Sequence, residues 1–400
     1  MLTNRQIFLQ HIGQTSSAPM MLEIERAEGV FMYGPAGDRY LDLISGVSVS
    51  NTGHCNPEVV RAVKEQAETY MHLMVYGEII QSPQVRYAER LAGILPPALN
   101  TCYFVNSGSE AVEGALKLAK KYTGKSRIVS FRNAYHGSTH GALSIQGNER
   151  YRNAFRPLLP DILQIGFNDE RSLNSIDNKT ACVIIEPVQG EAGVILPENN
   201  FLDKVRDKCN KTGALLIFDE IQTAFGRTGF MFALDRFGVV PDILVLAKAL
   251  GGGMPLGAFI SSQEIMSVLM SDPPLGHITT FGGHPVCCAA GLASLKVIVN
   301  RNLVGTVGQK SALFKNKLEH PLIKEVRGEG LLLAVELYES GFVRNVVSKS
   351  PEYGLILDYF LFCPNAFRIA PPLIISDEEI IWACTQLKNL LDDTMKNNTR

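Results

Sequence analysis

Between residues 100 and 261 the chain alternates short apolar runs with amphipathic stretches, and few architectures accept that pattern. The runs occupy 101–105, 127–131, 181–186, 215–219, 243–247 and 258–261. At this length they read as buried strands, and patterns such as 110–121 and 201–212 between them read as amphipathic helices. Such alternation predicts an α/β fold with a mainly parallel central sheet and helices on both faces. Ligands of such sheets gather at the carboxyl ends of the strands, so the residues that end each run become the candidates for chemistry.

The flanks differ from this core. Residues 29–33 and 39–43 are strand-like and joined by Gly34-Pro-Ala-Gly-Asp38, whose residues suit a hairpin turn. From about residue 303 helices lie at both ends of a strand-like stretch, 330–337. The expected division is an N-terminal segment 1–50 packing with a small α+β domain 301–400, around a large domain 51–300. With 46% hydrophobic and 20% charged residues and a net charge of −2, the composition is that of a globular protein without a field for nucleic acid or anionic membrane. The first residues do not form a signal peptide, which makes the cytoplasm the expected compartment. The eight cysteines show no metal-ligand spacing and read as reduced, half-buried residues.

Lys248 ends the run 243–247 and precedes three consecutive glycines. An ammonium at a buried strand end loses hydration, which favours the neutral amine, a nucleophile able to form a Schiff base with a carbonyl. A bland alternative is a lysine that reaches water or pairs with an acid. Asp219 ends the run 215–219 in the same way and needs a cationic partner. A salt bridge between the two would satisfy both.

Three further loops follow strands. In Val105-Asn-Ser-Gly-Ser-Glu-Ala111, Ser107 and Glu110 have capping-box spacing and Gly108 admits close backbone approach, so the helix start is a phosphate site or an ordinary cap. Gly124-Lys-Ser126 is not a Walker loop, because Ala119 stands where the first glycine belongs; Gly328-Glu-Gly330 lacks the third glycine of a dinucleotide fingerprint. Tyr135, in Phe131-Arg-Asn-Ala-Tyr-His-Gly137, offers a flat face to an aromatic ligand or to the core. Glu186 and Glu191 share one edge, without the aromatic cluster of a glycosidase. Together these features ask for a ligand with a phosphate, an aromatic ring, a cationic ring nitrogen and an aldehyde, a set that pyridoxal phosphate provides.

The motifs Asn-Ser-Gly-Ser-Glu-Ala, Tyr-His-Gly, Glu-Pro-Val-Gln-Gly-Glu, Phe-Asp-Glu-Ile-Gln and Ala-Lys-Ala-Leu-Gly-Gly-Gly, in that order, make the chain resemble the class III pyridoxal-phosphate aminotransferases. That family includes ornithine, acetylornithine and 4-aminobutyrate aminotransferases and has the fold of the type I pyridoxal-phosphate transferases. The resemblance implies that Lys248 carries the cofactor as a Schiff base and moves a proton, and that Asp219 holds the pyridine nitrogen protonated. It gives Gln222 the ring hydroxyl, Tyr135 the ring face with His136 beside it, and the amides of Gly108 and Ser109 the phosphate. Thr280, in His277-Ile-Thr-Thr-Phe-Gly-Gly-His-Pro285, would reach the phosphate of a neighbouring subunit, which implies a homodimer with shared sites. Arg368 would bind the substrate carboxylate, with Glu191 pairing it when that anchor is idle.

Two positions depart from the family. Ser138 replaces the arginine that follows His-Gly in ornithine-, acetylornithine- and aminobutyrate-type members, and His284 replaces an asparagine. The implied reaction is transfer of an amino group from an amino acid or ω-amine to a 2-oxo acid, 2-oxoglutarate, by a ping-pong route. Alternatives on the same scaffold are an amino-acid racemase, an aminomutase, or a non-catalytic dimer.

Overall fold

Seven strands form the central sheet in the computed structural model, which describes residues 2–398. In chain order they are β1 (Thr101–Val105), β2 (Arg127–Phe131), β3 (Ile162–Ile165), β4 (Thr180–Ile185), β5 (Leu215–Asp219), β6 (Ile243–Leu246) and β7 (Gly257–Ser261). Across the sheet the order is β1-β7-β6-β5-β4-β2-β3. The pairs β3·β2, β2·β4, β4·β5 and β5·β6 are parallel, whereas β7 is antiparallel to both β6 and β1. The α/β architecture with a mainly parallel sheet is therefore present, with one reversed strand and with β3 added at an edge.

Period-two side-chain alternation sorts the strands into two cores. Ile128, Cys182, Ile184, Ile217, Ile243, Val245 and Phe259 pack with Ala111, Ala115 and Leu118 of the helix Gly108–Thr123. Their neighbours Val129, Val183, Ile185, Leu216, Phe218, Leu244 and Ile260 join a second, larger cluster. That cluster includes Val205 and Cys209 of the helix Phe201–Thr212 and Leu295 and Ile298 of the helix Pro285–Asn300. Both faces are buried, which explains why these strands are continuously apolar rather than alternating.

The flanking parts meet across large sequence separations. Arg26–Glu28, Phe31–Tyr33 and Arg39–Asp42 form an antiparallel ribbon, and Leu355–Ile356 adds to it in parallel beside Arg39–Asp42. A second small sheet has the order Ile323–Glu329, Leu332–Leu337, Ala366–Ile369, Asp358–Tyr359. Arg227 is wholly buried where these parts join the large one, and its guanidinium donates to Asn51 Oδ1 at 2.5 Å, Leu331 O at 2.9 Å and Pro371 O at 2.6 Å. Burial lowers its pKa to about 9. Losing one of these bonds to the buried charge would cost about 1.5–3 kcal/mol. Among the described residues no single helix is long and apolar enough to cross a membrane.

Candidate active site

The parallel strands aim their carboxyl ends at one cavity of about 480 Å³, lined by residues from six loops. Ser107, Gly108 and Ser109 follow β1, Tyr135 and His136 follow β2, and Glu186 follows β4. Asp219 and Gln222 come from the end of β5, and Lys248 from the turn after β6. The cavity thus brings together Lys248, Asp219, Gln222, Tyr135, His136, Gly108 and Ser109.

Lys248 is half-buried and opens a 3-10 turn with φ of +53°, a left-handed conformation that costs a residue with a Cβ about 1–2 kcal/mol. Among the described residues none hydrogen-bonds or ion-pairs with its Nζ. Burial lowers its pKa; Glu191, Asp219 and Glu186 oppose that shift and Arg368 adds to it. The salt bridge to Asp219 is not formed. Asp219 instead accepts from His136 Nδ1 at 2.7 Å and from the Ile221 N–H at 3.0 Å. A carboxylate only accepts, so this contact puts the His136 proton on Nδ1.

Two other polar atoms in the wall lack partners. His136 Nε2 and Gln222 Nε2 are buried without a hydrogen bond. Gly190 leaves the space that Gln222 occupies, since a Cβ there would stand 1.9 Å from Gln222 Oε1. Buried polar atoms left unpartnered in this way mark a place where a ligand completes the hydrogen bonding.

The loop after β1 supplies a cradle. Ser107 caps the helix Gly108–Thr123 by accepting from the Glu110 N–H at 3.2 Å, but Glu110 reaches back to the Asn106 N–H at 2.8 Å rather than to Ser107. The expected box is therefore completed one residue early. Ser109 Oγ accepts from the Ser138 N–H at 3.2 Å, and at Gly137 (φ +126°) a Cβ would stand 2.1 Å from that oxygen. Glycine is required there on both counts. Free amides at a helix start, a carboxylate, a free amine and the orphan Gln222 donor fit a phosphorylated pyridine aldehyde.

Glu186, unused as a site residue by the sequence reading, links two parts of the wall. Its carboxylate accepts from the Tyr135 N–H at 3.0 Å and the Gly190 N–H at 3.1 Å. Burial, reinforced by Asp219 and opposed by His136 and the two amides, raises its pKa to about 7. Tyr135 is half-buried, and its hydroxyl lies 3.3 Å from Ser138 Oγ.

Arg368 and Glu191 are outside the cavity lining but close enough for their charges to act on Lys248. Arg368, on the strand Ala366–Ile369, is 1% exposed and donates to Glu191. Glu191 is held in turn by the Leu361 N–H at 3.1 Å. Thr280 is exposed and does not line the cavity of its own chain; its neighbour Thr279 accepts from Asn106 Nδ2 at 3.2 Å. His284 stacks on His72, ring centroids 5.7 Å apart, at the start of the helix Pro285–Asn300. Val49, Met254 and Pro255 also line the cavity, and no local motif marks them.

The family model for class-III aminotransferases matches residues 12–391. An acetylornithine aminotransferase of Methanocaldococcus jannaschii is 41% identical over 379 residues, covering 92% of this chain and 91% of its own length. Among solved structures, the ornithine aminotransferase of Toxoplasma gondii, with PLP at partial occupancy in its active site, superposes with a TM-score of 0.90 at 31% identity, covering 98% of this chain and 94% of that one. An omega transaminase of Pseudomonas jessenii in complex with PMP reaches a TM-score of 0.92 at 28% identity, covering 99% of each chain.

Proposed function

The chain belongs to the class-III aminotransferases, pyridoxal-phosphate enzymes that transfer amino groups, and on that premise we propose that it moves the amino group of an amino acid or ω-amine to 2-oxoglutarate in two ping-pong half-reactions. The observation that carries this reading is Lys248, an amine without a partner at the cavity that Asp219, His136 and Gln222 also line. When bound, pyridoxal phosphate supplies an aldehyde to which amines add and a ring that draws electrons from the carbon beside the nitrogen. Lys248 would hold that aldehyde through Nζ, and the same Nζ, when free, would serve as the base that moves a proton at the carbon beside the donor nitrogen. Asp219, steadied by His136 and the Ile221 N–H, keeps the proton on the ring nitrogen. Gln222 would offer its unpartnered Nε2 to the ring oxygen, Tyr135 would cover the ring face, and the amides of Gly108 and Ser109 would hold the phosphate.

Arg368 takes the substrate carboxylate, and Glu191 holds Arg368 when the substrate brings none. The exposed Thr280 suits a contribution to the phosphate site of a second copy, giving a homodimer. The pairing of Leu355–Ile356 with Arg39–Asp42 supports a division into a segment 1–50 with a small domain 301–400, around a large domain 51–300. The compartment is the cytoplasm. The acetylornithine aminotransferases among the relatives suggest one donor, but Ser138 in place of the arginine argues for another.

A single-turnover experiment with a panel of amines and no acceptor tests the reaction type. Stoichiometric release of the oxo product with loss of the cofactor's aldehyde absorption is the expected result. Inversion of the amine without that loss would overturn transamination in favour of racemisation.

A further inference from the structure

Arg368 has one more acid beside it than a carboxylate anchor with a single gate requires. Glu191 bonds to Nη2, and a second carboxylate, Asp358, stands across the sheet. The strand Asp358–Tyr359 pairs antiparallel with Ala366–Ile369 in a register that sets Asp358 directly opposite Arg368. Asp358 Oδ2 lies 3.9 Å from Arg368 Nη1, and its Oδ1 accepts from the Tyr359 N–H at 2.8 Å. Phe360 covers the guanidinium with its ring centroid 4.7 Å from Cζ.

The two acids are tethered differently. Glu191 belongs to the loop after β4, reaches Arg368 across 177 residues of sequence, and is held at its other oxygen by the Leu361 N–H. Asp358 is a ladder neighbour of Arg368, so the strand register keeps its backbone beside the guanidinium. With both acids in place the three formal charges sum to −1. When Glu191 withdraws, Arg368 and Asp358 sum to zero rather than +1. A substrate carboxylate then meets a neutral pair in a low-dielectric setting, where one unit of charge changes the attraction strongly. Burial pushes the Asp358 carboxyl up and Arg368 pulls it back, as expected for an acid held against a cation.

We infer that Asp358 is a specificity-determining residue: it offsets the charge of Arg368 after Glu191 leaves, weakens the site for carboxylates, and so tilts donor selection toward amines that carry no carboxylate at that end. The inference rests on the anchoring role proposed for Arg368, through which Asp358 acts as a positioning residue.

The test is calorimetric titration of the holoenzyme with glutarate, a dicarboxylate with no amino or keto group and hence unable to exchange an amine. Asp358→Asn is expected to bind glutarate about five- to tenfold more tightly than the unaltered enzyme, and Asp358→Glu to return to the original affinity. Asp358→Ser serves as a second neutral variant if the asparagine protein folds poorly. The difference should narrow at high salt and appear as a lower KM for 2-oxoglutarate, responses that a packing role would not produce. Equal glutarate affinity across the unaltered, Asn, Ser and Glu proteins overturns the inference while leaving the anchor intact. If Arg368→Ala binds glutarate as well as the unaltered enzyme, the anchor reading itself falls and the inference with it.

Discussion

Lys248 and Arg368 are cations enclosed within reach of each other's field, yet the protein treats them in opposite ways. Lys248 has no partner among the described residues and a left-handed backbone, and burial pushes it toward the neutral amine. Arg368 is 1% exposed, bonded to Glu191, faced by Asp358 and covered by Phe360. An ammonium changes protonation when its surroundings disfavour charge, whereas a guanidinium stays charged and has to be compensated. Withholding a counter-ion therefore makes a nucleophile, and supplying one makes a gated anchor. The cofactor cavity follows the first rule and the carboxylate site the second.

Removing the free amine gives the largest effect. Lys248→Ala is expected to lower turnover by at least ~10⁴-fold, since it deletes both the covalent attachment and the proton carrier. Borohydride treatment should no longer fix the cofactor to the protein, and cofactor still trapped in that variant would show that another residue is the nucleophile. Asp219→Asn should follow at about 10³-fold in kcat, because an amide cannot supply the charge that holds a proton on a ring nitrogen. The bond to His136 can survive in this variant, so retained cofactor with lost turnover is the signature to measure. A kcat near that of the unaltered enzyme would remove Asp219 from the chemistry.

On the anchor side the expected loss is smaller and falls on a different constant. Arg368→Lys replaces a two-point donor by a point charge, and losing one charge-assisted hydrogen bond costs about 2–3 kcal/mol, near a hundredfold in KM for the 2-oxo acid. If kcat fell and KM held, the two cations would not divide the work as their surroundings suggest.

The two regions also differed in how far the sequence reveals them. Asp219 and Lys248 each break a buried apolar run at its carboxyl end, so a local pattern marks both. The bond between Asp219 and His136 spans 83 residues, and nothing in Tyr-His-Gly says which acid its histidine meets. The anchor region is harder still. Asp358 sits on a two-residue strand whose pairing with Arg368 arises only from the fold. In the sheet, the reversed direction of β7 was hidden because an apolar run has no polarity. The four-residue edge strand β3, half-exposed along most of its length, lacks the continuous apolar signal of its neighbours. Arg227 reads as an ordinary polar loop residue until its partners at positions 51, 331 and 371 come together.

Glu186 lies between the two regions, with one oxygen on the Tyr135 loop and the other on the Gly190 turn that leads to Glu191. It provides the sharpest test of whether burial or hydrogen bonding rules the charges here. Two N–H donors favour the carboxylate and burial favours the acid; burial wins, raising the pKa from 4.5 to about 7. Below pH 4.5 both the folded and the unfolded chain hold this proton, and its contribution to stability is fully present. As pH rises from 4.5 to 7 the unfolded chain releases the proton first, so stability falls, and above 7 the contribution is gone. The loss should be on the order of 3 kcal/mol for the cofactor-free protein, measured by urea unfolding across that range. Glu220, also raised to about 7 by burial, titrates in the same window, so the difference between the unaltered protein and Glu186→Gln isolates one group. The glutamine variant offers one acceptor to two N–H groups and starts less stable, but its unfolding free energy should be flatter with pH. An unchanged slope would mean that the amides keep Glu186 charged throughout that range.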